Sequence, residues 1–154
     1  MTILALVMLL AAAAGQAAEA TYQAPTAEQE LYLRVSTHSG LFPLEVDLRG
    51  ELRGVDLTTI QSCTIRVDRT YLTPSRMNLE ERAEYPCIAG AVPENPILPT
   101  FKRTLVLKEP GDYLLRIMLQ PKEGGRLIAG MTHPVKVYKA PFQIGATATS
   151  TTTD

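Results

Sequence analysis

The chain is predicted to be an all-β protein: an antiparallel β-sandwich or barrel with a short helical insertion, preceded by a signal peptide. Three observations predict it. Apolar and polar residues alternate with period two in successive runs between Leu31 and Val137, the spacing of side chains on half-buried strands. Glycine and proline punctuate those runs, as turns between short strands require. Ile3 to Ala14 is unbroken apolar, which suits the core of a secretory signal and is too short for a membrane span.

The leader is expected to cover residues 1–20. Ala18-Glu19-Ala20 fits the small-x-small rule for cleavage before Thr21, and a cut after Ala17 fits nearly as well. The segment before the apolar run departs from the usual form, because it has no Lys or Arg. No cysteine lies near the cleavage region, so a bacterial-type lipid anchor is not supported. Residues 21–29 read as a linker, 30–140 as the sandwich, and 141–154 as a disordered Ala/Thr-rich tail with no large apolar side chain to bury beyond Ala146.

Each strand follows from its alternation. Leu31, Leu33 and Val35 share one face; Leu44, Val46, Leu48 and Leu52 share the next, with Glu45, Asp47, Arg49 and Glu51 opposite. Cys63, Ile65 and Val67 form a third inner row, and Phe101, Leu105 and Leu107 a fourth. Glu109-Pro110-Gly111-Asp112 turns the chain into Tyr113, Leu115, Ile117 and Leu119. Gly124-Gly125 supplies a hairpin turn into Leu127, Ala129 and Met131. Pro134 lacks a ladder donor and is expected to interrupt the last strand, which resumes at Val135 and Val137. One-sided alternation is the habit of antiparallel sheets. Between Tyr71 and Ala91 the alternation fades, and Asn78-Leu79-Glu80-Glu81 reads as a capping box opening a short helix. Pro93 to Pro99 reads as an extended connector, so this whole region is expected to be an edge insertion.

With 154 residues, the chain holds one domain. Its 15 Lys+Arg against 16 Asp+Glu argue against nucleic-acid binding, which needs a dense basic surface. Cys63 and Cys87 are the only cysteines. A structural disulfide fits an exported chain, and would be worth on the order of 3.5 kcal/mol in the chain-entropy model. The alternative is two separate buried thiols; a redox pair would need the close Cys-x-x-Cys spacing that is missing. His38 and His133 are far apart and lack partners at metal-ligand spacing. No nucleophile elbow, phosphate-binding glycine loop, zinc signature or calcium loop occurs. No catalytic residue, metal or cofactor is therefore expected. Tyr32 is placed on an exposed face, and the signs along Glu45, Asp47, Arg49, Glu51 and Arg53 are mixed, as on a solvated sheet.

Two stretches carry a resemblance. Ser36-Thr37-His38-Ser39-Gly40-Leu41-Phe42-Pro43-Leu44-Glu45-Val46 is similar to the first strand pair of polycystic-kidney-disease-type (PKD) domains. Glu109-Pro110-Gly111-Asp112-Tyr113-Leu114-Leu115-Arg116-Ile117 resembles the Pro-Gly-x-Tyr approach to their penultimate strand, with Pro110, Gly111 and Tyr113 as a structural corner. Ile65-Arg66-Val67-Asp68-Arg69-Thr70 departs from the family in lacking its Gly-rich turn, and Trp is absent. The resemblance spans Tyr32 to about Tyr138 and implies that the fold is an immunoglobulin-like antiparallel β-sandwich, a non-catalytic module of an exported or surface protein.

The expectation is thus a secreted or periplasmic module with a protein-binding or structural role. Its partner would be an unknown protein or cell-surface component, with no nucleic acid and no stable membrane span after signal cleavage. Binding is expected at the loops Ser39 to Leu41 and Lys122 to Gly125, at the insertion Thr73 to Pro99, or by strand donation at an edge near Pro134. The alternatives are a small exported enzyme or metal carrier, and a polysaccharide-binding accessory module.

Overall fold

The structure is a computed structural model and describes residues 22–72, 77–92 and 96–140. The expected leader and the Ala/Thr-rich tail lie outside these described residues. The strands are β1 (Tyr22–Gln23), β2 (Glu30–Val35), β3 (Ser39–Leu41), β4 (Leu44–Arg53), β5 (Ile60–Leu72), β6 (Met77–Pro86), β7 (Thr100–Leu107), β8 (Gly111–Pro121), β9 (Leu127–Ala129) and β10 (His133–Tyr138). The fold is all-β. A 3-10 turn, Leu57–Thr59, joins β4 to β5, and the Asp56 side chain accepts the Thr58 backbone N–H at its start.

The strands form two sheets. The small sheet has the order β2-β4-β7 and is antiparallel throughout. In the large sheet β8 is central: β5 runs antiparallel along nearly its whole length, and β6 follows β5. The other side of β8 is shared, with β10 along its first half and β9 along its second. Beyond these, β3 pairs with β10 and β1 with β9, both in parallel. The large sheet is therefore mixed, which corrects the purely antiparallel expectation. The pairing partners of β3 and β1 are a single strand path broken at Gly130 to Thr132, so each half recruits its own neighbour from the N-terminal part of the chain.

One core joins the two sheets. Leu31, Leu33, Val46, Leu48, Phe101 and Leu105 from the small sheet meet Ile65, Val67, Leu115, Ile117, Leu119 and Val135 from the large one. These are the alternate positions of their strands, so period two translates directly into burial. Gly50 lies on the inner side of β4, and an added Cβ there would sit 2.0 Å from the Phe101 ring. The ring lies in the space that any larger residue would need.

Four expectations are corrected. Asn78 to Glu81 belongs to strand β6, not to a helix: Arg82 opposes Asp68 and Glu84 opposes Arg66 across the β5–β6 ladder, and long-range pairing outweighs a local capping signal. In the last hairpin the core residue is Ile128, opposite Leu119, while Met131 is 80% exposed; the inward set is one residue out of phase with the one expected. The final break falls at Gly130–Thr132, and Pro134 lies inside β10 opposite Leu114. Pro134 is tolerated because β3 pairs with β10 only from Lys136 onward. Finally, β1 lies within the stretch expected to be a linker, and it extends the folded unit back to Tyr22.

Candidate functional site

Cys63 lies in β5 and Cys87 directly follows β6, so the two cysteines face each other at the base of one hairpin. Their sulfurs are at disulfide distance, 1.97 Å, with Cα atoms 5.5 Å apart. Such a pair is consistent with an oxidising compartment. It closes β5 onto β6, where the sequence placed an irregular insertion. An apolar hollow of about 250 Å³ lies beside it, lined in part by Ile88, Val92, Ile97 and Phe101.

At the corner before β8, the Tyr113 hydroxyl donates to the Glu109 carbonyl at 2.7 Å. Burial raises the Tyr113 pKa above its ordinary value. Gly111 has φ +150°, and an added Cβ would press on the Arg69 side chain at 3.1 Å. Pro110 offers its carbonyl to Arg69 at 3.5 Å.

The two histidines meet more closely than their sequence separation suggests. His38 Nδ1 donates to the Pro134 carbonyl at 3.1 Å, one residue from His133. Burial first, and the nearby His38 second, hold the His133 pKa below its ordinary value. No group of three or more His, Cys, Asp or Glu suited to a metal ion occurs among the described residues.

The expected binding segments have different fates. Ser39 to Leu41 is strand β3, tied to β10, so it is not a free loop, and the edge near Pro134 is partly covered by the same pairing. Lys122 to Gly125 is a turn, with Gly124 at φ +69°. The described part of the insertion includes strand β6.

The outward faces of the two sheets differ in how their charges are used. On the large sheet, Arg66 binds Glu84 through Nε at 2.8 Å and Nη2 at 2.5 Å, and Arg82 binds Asp68 through Nε at 2.7 Å and Nη2 at 3.2 Å. The Tyr22 ring lies 5.0 Å from the Arg66 guanidinium and 4.9 Å from that of Arg116, and its hydroxyl accepts from Arg66. This face is knitted together by its own partners.

The small sheet is different. Its register sets Arg34 opposite Arg49, and Arg49 opposite Lys102. All three are exposed, and neighbouring strands are about 4.8 Å apart. Three cations therefore form a straight row across the sheet, without an ion-pair partner among the described residues. The nearest carboxylates are engaged elsewhere. Glu51 accepts from Arg53 at 2.8 and 2.9 Å, which holds its carboxyl below the usual range. Asp47 accepts from the Thr104 hydroxyl at 2.6 Å. Tyr32 stands next to Arg34 on the same face of β2, 47% exposed. Tyr32, Arg34, Arg49, Glu51, Thr100 and Lys102 line an open groove of about 400 Å³. Sequence reasoning missed this row, because both signs occur along β4 and only the register brings the like charges together.

No family model and no curated protein matches the chain. Among solved structures, the sporulation control protein Spo0M from Bacillus subtilis is similar at a TM-score of 0.48 and 12% identity, over 71% of this chain and 49% of Spo0M. The chain thus spans about half the length of that protein. The superoxide reductase neelaredoxin from Ignicoccus hospitalis is similar at a TM-score of 0.41 and 15% identity, over 76% of this chain and 94% of its own. At this level of likeness neither assigns a function.

Proposed function

We propose that the chain is an exported, non-catalytic, immunoglobulin-like binding module, and that its recognition face is the outer side of the β2-β4-β7 sheet. The observation that carries this reading is the row Arg34–Arg49–Lys102. Like charges directly opposite one another on a sheet are destabilising, so their alignment has a cost in the free protein that an anionic partner would offset. The Cys63–Cys87 pair supports export to the periplasm or the medium. The partner is a component of the cell surface or envelope.

Envelope sedimentation tests the reading. Purified mature protein is mixed with envelopes of the source cells and pelleted. The native protein is expected in the pellet and the Arg34→Gln/Arg49→Gln/Lys102→Gln variant in the supernatant. A control variant, Lys122→Gln/Arg126→Gln/Lys139→Gln, removes the same charge elsewhere and is expected to pellet. Equal behaviour of the two variants overturns the assignment of the face.

A further inference from the structure

We infer that the groove on the small sheet binds a uronic-acid polysaccharide, whose carboxylates lie on Arg34, Arg49 and Lys102 while one sugar ring lies against Tyr32. This rests on the proposed recognition face and names its ligand class. The charge layout of the whole face narrows the choice. Arg34, Arg49, Arg53 and Lys102 point outward, but so do Glu30, Glu45, Asp47 and Glu51. The face is balanced in total and sorted by row. Glu30, Glu51 and Arg53 lie on one side of the cation row, and Asp47 and Glu45 on the other.

That sorting disfavours a broad anionic surface. A lipid headgroup layer or a nucleic-acid duplex laid on the sheet would meet carboxylates on both flanks of the row. A narrow chain lying along the row would not. The row offers one cation per strand, spaced by about 4.8 Å, so it suits a ligand with one negative charge per step. A densely sulfated chain carries more charge than the row supplies and would press the excess against Glu51 and Asp47. Carboxylates also match the planar fork of arginine, which gives two parallel hydrogen bonds to one acid group.

Tyr32 adds a second kind of contact. It stands one step along β2 from Arg34, and its ring presents an apolar face with a polar tip. The Thr100 hydroxyl completes that end of the groove as a hydrogen-bonding group. An acidic sugar has both chemistries, an apolar ring face and a charged edge, in one residue.

Calorimetric titration of the full mature chain tests this, with four probes: polygalacturonate oligomers, heparin oligosaccharides, neutral dextran and inorganic phosphate. Polygalacturonate is expected to bind with an affinity that falls as salt rises, and the other three to bind more weakly or not at all. Arg34→Gln, Arg49→Gln and Lys102→Gln are each expected to lower that affinity roughly tenfold, while melting no lower than the native protein because repulsion is relieved. Tyr32→Ala is expected to weaken binding without changing its salt dependence, and Tyr32→Phe to retain it. Equal binding of heparin or dextran, or unchanged affinity in the charge variants, overturns the inference. If envelope sedimentation depends on the row but polygalacturonate does not bind, the recognition face stands and the uronate assignment falls.

Discussion

At the scale of single residues, two side chains carry consequences that their local sequence does not announce. Gly50 is a short residue in a strand of otherwise alternating apolar positions, and the Phe101 ring fills the space beside it. Gly50→Ala is expected to destabilise the fold by about 1–3 kcal/mol, because the ring must leave its packed position; a denaturant melt measures it. Burial pushes the His133 pKa below its ordinary value, with His38 adding to the effect. A depressed histidine pKa means that the unfolded chain takes up a proton first as pH falls. The stability His133 contributes is therefore complete above its ordinary value of about 6.5 and is lost as pH drops from there through the folded value. His133→Gln is expected to flatten the decline in urea midpoint as pH falls below about 6.5. An equally steep decline in the variant would show that other groups govern this limb. The sequence marked both histidines as isolated; only the pairing of β3 with β10 brings them near one another.

At the scale of elements, the β5–β6 hairpin shows where local reading fails. Asn78 and Glu81 have the spacing of a capping box, yet the segment is an outer strand. What decides is the partner strand: Asp68 and Arg66 each meet an opposite charge on β6, and Cys63 meets Cys87 at the open end. Reduction of the cysteine pair is expected to lower the melting temperature by on the order of 10 °C, from a loss of about 3.5 kcal/mol. An unchanged melt under reductant would remove the pair from the account. Asp68→Ala leaves Arg82 without its bidentate partner. Because the Arg82 side chain is 40% exposed and water can replace the carboxylate, the expected loss is about 1–3 kcal/mol, less than for a fully buried pair. Elsewhere the strands were legible. The inner rows of β2, β4, β7 and β8 are the residues that alternation picks out, since a half-buried strand records its own burial in sequence. In β9 the run is only three residues long, too short for phase to be read, and the buried residue is Ile128 and not its neighbours.

At the scale of the whole molecule, the core was readable and the candidate binding face was not. Core residues are fixed by alternation within a strand, whereas the Arg34–Arg49–Lys102 row exists only between strands. Register follows from which strands pair, and that is a property of the full fold. The face then makes a further prediction. Arg49→Glu converts both flanking like-charge pairs into opposite-charge pairs. It is expected to raise the melting temperature slightly while abolishing envelope sedimentation. A variant that gains stability and keeps its attachment would show that the row has no binding role.

Tyr22 holds the outer border of the large sheet. Its ring lies against two guanidinium groups, and its backbone completes the last strand of the large sheet. If the proposed leader were removed before Thr21, this tyrosine would be the second residue of the product. Trimming by two residues more would strip the aromatic cover from Arg66 and Arg116 and open the border of the sheet beside β9. Under the proposed export, the position of that cut would set how completely this border closes.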